Sequence, residues 1–211
     1  MMNVLYIHGM GGGGDSRIPG ILRDALSDKE VNVVVRTYDF DPETATGQIE
    51  GWMDELSPAL VIGESMGSIH ALRIKGVPHI LISPALNSPF VLGRLSWLAL
   101  IPGITPLLDR IYKPREGDRQ KLHFTFDVLK KYVRHGKAAL ANSTLSGSDD
   151  FFFAFFGTRD HYRKTGIVSV RKWKKYFGDS FAMYDGTHFT EEEHILAKII
   201  PLIYNVLEIK R

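Results

Sequence analysis

Short apolar runs alternate with amphipathic stretches along most of this chain. Residues 4–8, 31–38, 60–63 and 79–83 are rich in valine, isoleucine and leucine and read as strands. Between them, residues 18–26, 43–56 and 66–74 can form helices. The rhythm breaks at residues 87–149, which are largely helical in pattern with no clear strand. Within that stretch Phe126, Leu129, Tyr132 and Val133 recur at helical spacing and predict an amphipathic helix. Alternation resumes with a strand at 151–156, a helix at 168–176 and a short strand at 181–184. A last helix spans about 191–207, with Thr190 and Glu193 spaced as a capping box and Pro201 expected to kink it.

Strand and helix in alternation predict an α/β protein: a mostly parallel sheet flanked by helices. Residues 1–211 read as a single domain, with 87–149 as a helical insertion inside it. The insertion enters just after the strand at 79–83, on the side where sites of such sheets lie, and is read as a lid.

One turn in this pattern carries chemistry. Gly63-Glu64-Ser65-Met66-Gly67 follows an apolar strand and precedes a helical segment. A serine at the apex of so sharp a strand-turn-helix projects its hydroxyl beyond the sheet, and small residues flank it because side chains there would collide. A serine hydroxyl is a poor nucleophile until a base takes its proton. His188 lies between the last strand and the last helix, where it can reach back across the strand ends. Asp160 follows the strand at 151–156 and can fix the imidazole tautomer. The chain order Ser65, Asp160, His188 is that of a nucleophile-elbow hydrolase. The backbone N–H groups of Met66, beside the serine, and of Met10, in the early His8-Gly9-Met10-Gly11 loop, are the expected oxyanion donors.

Rivals for these roles are present. An aspartate after a strand is most often a turn or helix cap, and Asp185, Asp149 and Asp150 compete with Asp160. His161 reads as a solvated loop residue, His70 as packed or exposed, and His8 as holding the oxyanion loop. Gly9, Gly11 and Gly14 match the spacing of a dinucleotide fingerprint, with Asp39 as the ribose-binding acid. Asp15, Ser16 and Pro19 follow, where the fingerprint needs a helix start, and Asp15 would repel a pyrophosphate.

Composition narrows the classes further. The chain has 211 residues, 44% hydrophobic and 24% charged, with a formal charge of +2, so no basic field calls for nucleic acid. Cysteine is absent, which excludes disulfides and thiolate chemistry. The N-terminus reads directly as a strand, without the basic start of a secretory signal, so a cytoplasmic location is expected. The one long apolar run, 90–108, is interrupted by Gly93, Arg94, Pro102, Gly103 and Pro106, which argues against a membrane-spanning helix. Its residues Leu95, Trp97, Leu98, Leu100 and Ile101 read as core, and the basic clusters at 113–121 and 171–175 as solvated helix faces. No metal-ligand spacing is visible.

On the residues just quoted the chain resembles an α/β-hydrolase. The early His-Gly loop, Ile82-Ser83-Pro84-Ala85 and the late Gly186-Thr187-His188-Phe189-Thr190 resemble the compact bacterial YqiA-like esterases, apart from the middle helical segment, which is longer here. The resemblance implies a serine hydrolase, a carboxylesterase acting on a small-molecule ester or acyl substrate through an acyl-serine intermediate, with no cofactor. Amide or peptide hydrolysis, acyl transfer, and a non-catalytic ligand-binding or partner-binding protein of the same fold are the alternatives. Activity is expected to fall at acid pH as His188 takes up a proton.

Overall fold

The apolar runs form six strands in a computed structural model that describes residues 1–114 and 116–209. They are β1 (Met2–Ile7), β2 (Val31–Val35), β3 (Leu60–Glu64), β4 (His79–Ile82), β5 (Phe152–Gly157) and β6 (Phe181–Tyr184). All neighbours pair in parallel, in the order β2-β1-β3-β4-β5-β6. The order reverses at β1, so the loops after β1 and β3 stand side by side at the carboxyl ends of the strands. The helices are α1 (Arg17–Ala25), α2 (Pro42–Leu56), α3 (Gly67–Ala71), α4 (Ser88–Leu95), α5 (Ile104–Ile111), α6 (Phe126–Ala141), α7 (His161–Lys164), α8 (Val170–Phe177), α9 (Glu192–His194) and α10 (Ile200–Val206).

Successive strand residues point to opposite faces, and because both faces are covered the strands are apolar throughout. Leu5, Ile7, Val61, Leu81 and Phe156 meet Ile49 of α2, Ile69 of α3, Ala139 of α6 and Trp173 of α8. Val4, Tyr6, Ile62, Ile80 and Phe155 meet Ile18 and Leu22 of α1 and Ile203 of α10 on the other face. A third cluster, with Phe40, Met66, Phe124, Leu129 and Tyr132, closes the space beyond the carboxyl ends of β2 and β3.

Residues 87–149 contain α4, a 3-10 turn at Ser96–Leu100, α5, α6 and a 3-10 turn at Thr144–Ser146. The amphipathic helix expected from Phe126, Leu129, Tyr132 and Val133 is α6. It is tied to the sheet domain by Tyr132 O–H donating to Phe40 O at 2.7 Å, by Lys131 against Asp41 at 2.6 Å, and by Asn142 donating to Leu72 O at 3.1 Å.

Several local expectations need correction. Leu95, Trp97, Leu98, Leu100 and Ile101 are exposed, not core: the short segments that carry them turn Leu92, Ser96 and Ala99 inward instead. The described part of 113–121 is irregular chain, not a helix face, while 171–175 lies on α8. The helix after Ser65 ends at Ala71, short of 74, because Arg73 and Ile74 N–H bond three residues back and tighten the turn. Thr190 and Glu193 form no capping box; the last helical run is capped at Glu191 without a side-chain bond. Pro201 cannot donate to the helix ladder, and a π turn at Ile195–Ile199 widens the chain just before it, so that α geometry restarts at Ile200.

The turn between β3 and α3 is tightly packed. Ser65 has φ of 50°, a left-handed conformation that costs a non-glycine residue about 1 kcal/mol or more. A Cβ at Gly63 would lie 2.8 Å from Ala71 Cβ and from Ser68 Cα. A Cβ at Gly67 would collide with the backbone carbonyls of Ile7 and His8, groups that cannot rotate away. Gly67→Ala is therefore expected to lower unfolding free energy by about 3 kcal/mol, read from the urea midpoint. An unchanged midpoint would mean that β1 and α3 do not need this approach.

Candidate active site

The strand ends bring Ser65, His188 and Asp160 into one chain of contacts. His188 Nε2 lies 2.9 Å from Ser65 Oγ, and His188 Nδ1 lies 2.8 Å from Asp160 Oδ2. Asp160 and His188 are buried, 2% and 4% exposed, so the pair is shielded from competing water. An ionised carboxylate only accepts, so Nδ1 carries the proton and Nε2 is left to accept from the serine O–H. An imidazole in that state can take the hydroxyl proton as Oγ attacks an electrophile.

Asp160 does two things at once. Its Oδ1 accepts from Tyr162 N–H at 2.8 Å and caps α7, while Oδ2 faces His188. One oxygen makes the cap contact and the other lies against the imidazole. Asp185 is solvated instead, bonded to Thr158 and Arg159, and Asp150 accepts from Gly76 N–H. His161 begins α7 with its ring centroid 6.1 Å from that of His188, and Tyr162 packs edge-on to His188 at 4.6 Å.

The loop bearing His188 is braced by Thr190, one of the two residues of the expected capping box, and by Glu191. Thr190 Oγ1 meets Tyr184 O–H at 2.6 Å, and Thr187 N–H donates to Glu191 at 3.1 Å. Arg17, on the far side of the sheet end, donates to the carbonyls of Phe189 and Thr190 at 2.7 and 2.6 Å.

Met66 and Met10 both line the cavity in front of Ser65, and among the described residues neither backbone N–H bonds to the protein. Met66 stands at the start of α3; Met10 follows Gly9, where a Cβ would lie 3.2 Å from Ser65 Cβ. Besides His8, this loop has a second holder that the sequence does not point to. Buried Gln120, from the insertion, accepts from Gly11 N–H at 3.0 Å, donates its own N–H to Gly12 O at 2.7 Å and reaches Tyr38 O at 3.2 Å. The same segment fills the space a dinucleotide would need: a Cβ at Gly13 would strike Asp118 O. A lone glutamine far along the chain gives no sequence signal for this contact.

The cavity has a volume of about 180 Å³, walled by Met10, Val91, Leu92, Tyr162, Ile167 and Phe189. Its lining is mainly apolar. Behind Gly9 and Phe189 a polar groove of about 230 Å³ is lined by Ser16, Arg17, Glu64 and Arg119. A larger groove, about 350 Å³, lies between α2 and α3 at Arg73 and His135. It contains none of the residues that meet at Ser65, so chemistry rather than size picks out the smaller cavity.

Solved structures of similar shape can now be compared. Est1E from Butyrivibrio proteoclasticus, with ferulic acid bound, superposes with a TM-score of 0.65 at 14% identity, covering 99% of this chain and 90% of that one. NosK from Streptomyces actuosus gives 0.64 at 13% identity, with 98% and 99% covered. A structure reported for the metagenome-derived lipolytic enzymes LipS and LipT gives 0.62 at 16% identity, with 97% and 94% covered. The chain has the α/β-hydrolase fold. No family model and no curated protein matches it. At such identities the α/β-hydrolase likeness speaks to architecture, and the chemistry rests on the site itself.

Behind this site runs a row of buried histidines. His8 Nδ1 donates to Gly9 O at 2.7 Å, and its ring stacks on Tyr38 at 4.3 Å between centroids. His70, on α3, lies 4.9 Å from Tyr38 and meets His135 of α6 at 3.0 Å. Arg73 stands 2.7 Å from His135 Nδ1. Arginine only donates, so His135 accepts at Nδ1 and donates from Nε2 to His70. His70 and His135, which showed no role in the sequence, thus bolt the short helix α3 to the insertion. Burial keeps the row neutral: it pushes His8 down to about 4, His135 to about 3 with help from Arg73, and His70 well below its ordinary value, and His79, buried apart from the row at the start of β4, also falls to about 4. In the unfolded chain each titrates near about 6.5. Their contribution is complete above that pH and is lost as pH falls toward 4, because only the unfolded chain takes up the protons. Urea midpoints should hold between pH 7 and 8 and drop steadily from about 6.5 to 4.5; a flat profile there would show that these rings can charge in place.

Proposed function

We propose that this protein is a serine hydrolase that cleaves a carboxylic ester or thioester through an acyl-serine intermediate. Ser65 Oγ attacks the carbonyl carbon while its proton passes to His188 Nε2. Asp160 holds the imidazole in register and stabilises it when charged. The Met10 and Met66 N–H groups receive the negative charge that develops on the carbonyl oxygen. Collapse breaks the bond to the leaving alkoxide or thiolate, which takes the proton from His188. Water, deprotonated by the same imidazole, then releases the acid. The observation that carries this reading is the pair of contacts at 2.9 and 2.8 Å on a serine held at φ of 50°. Esterases and lipolytic enzymes among the solved structures of like shape support it.

The apolar cavity walled by Val91, Leu92 and Ile167 suits an acyl chain or aromatic acid, and the polar groove at Ser16, Arg17 and Arg119 suits the leaving group. In this reading residues 87–149 act as the lid, with α4 as one wall of the acyl side.

A fluorophosphonate probe is expected to label the native protein at Ser65 and to leave Ser65→Ala unlabelled. Ser65→Ala and His188→Ala should each lower kcat/KM for a short nitrophenyl ester by roughly 10,000-fold or more. An unlabelled native protein that is fully folded would turn the reading to a binding protein of this fold. Turnover of anilides at rates matching esters would turn it to an amidase. Ile167→Trp, which fills the acyl side, should raise KM for a long-chain ester far more than for an acetate ester, with labelling of Ser65 retained.

A further inference from the structure

The insertion carries an outer face that nothing in the described structure covers. Trp97 is 60% exposed, Leu100 55%, Ile101 51%, Leu107 51% and Ile111 63%. Isolated exposed apolar residues are ordinary; a run of large ones across consecutive elements is not. No residue of α5 is buried. Leu107 and Ile111 sit one helical turn apart on its outer side, while Leu108 leans toward the third cluster.

Cations outnumber acids along this stretch. Arg94, Arg110 and Lys113 are exposed and join no ion pair among the described residues. Lys130 of α6 stands 4.9 Å over the Trp97 ring. The only acid between residues 94 and 113 is Asp109, which accepts from Phe124 N–H at 3.4 Å and lies 3.8 Å from His123. Aliphatic side chains, the Trp97 indole and the exposed Tyr112 phenol, flanked by Arg94, Arg110 and Lys113 on short helices broken at Pro102 and Gly103, are what a surface lying in a lipid headgroup layer needs. No helix among the described residues is long and apolar enough to cross a membrane, so the contact is shallow.

We propose that the outer face of residues 95–113 docks on an anionic lipid surface. A second copy of the chain fits less well, because a two-fold contact on this face would bring both sets of cations together. Docking here also has a consequence for access. α4 runs from Val91 and Leu92, at the wall of the Ser65 cavity, into the exposed stretch that starts at Leu95. An acyl chain leaving a lipid layer therefore meets the apolar side of the cavity first.

The test is co-sedimentation of the full chain with vesicles of equal parts phosphatidylglycerol and phosphatidylcholine, against vesicles of phosphatidylcholine alone. Binding is expected to the anionic vesicles and to weaken at high salt. Trp97→Asp with Ile101→Asp, and separately Arg94→Glu with Arg110→Glu and Lys113→Glu, should each reduce the partition coefficient by about tenfold or more. Probe labelling of Ser65 and turnover of a soluble ester should be unchanged in both variants, since none of these residues touches the site. Absence of binding overturns the proposal, as does equal binding to both vesicle types. So does a lipid-free dimer, seen by sedimentation velocity, that the Trp97 and Ile101 substitutions abolish. Vesicle binding and sedimentation velocity do not depend on whether Ser65 is a nucleophile, so this proposal and the hydrolase reading can fail separately.

Discussion

Two loops meet in this protein only because one residue has no side chain. Gly67, at the start of α3, lies against the carbonyls of Ile7 and His8 at the end of β1. That contact sets the distance between the serine turn and the loop carrying Met10. The sheet order makes it possible, since β1 and β3 are neighbours and point the same way. The strain at Ser65 is tolerated because the turn is fixed from both sides: Ser65 N–H is held by Ile82 O at 2.8 Å, and its carbonyl accepts from Ala85 N–H at 3.0 Å.

The same economy recurs at the opposite rim. Asp160 spends one oxygen on ordering α7 and the other on His188, so the short helix and the imidazole are positioned by a single buried carboxylate. The His188 loop is held by Tyr184, Glu191 and Arg17, which come from the last strand, the last helical run and the first helix. A site assembled from distant segments is rigid when each segment is anchored twice, and every loop here is.

The insertion has two faces with different physics. Its inner side is a packing layer: α6 supplies Tyr132 and Ala139 to the buried clusters, His135 to the histidine row and Lys131 to an ion pair with Asp41. Its outer side, around α5, buries nothing. Gln120 lies between the two and fixes the glycine loop after β1, so the insertion shapes the candidate site from behind as well as walling it in front.

The alternation of apolar runs and amphipathic stretches was enough to predict the parallel sheet, because a strand buried on both faces must be apolar throughout and a covering helix only along one stripe. The serine turn, the aspartate after β5 and the histidine after β6 were legible for the same reason: each sits at the carboxyl end of a strand, a place that chain order alone defines. What lay beyond reach were contacts between segments far apart in sequence. Thr190 has the spacing of a cap, yet its hydroxyl meets Tyr184; Gln120 carries no local signal, yet it holds the loop after β1; and Leu95, Trp97 and Ile101 have the pattern of core, yet they are exposed. Local pattern reports which residues avoid water by themselves or with near neighbours. Whether a partner arrives to cover them is decided only when the whole chain is packed.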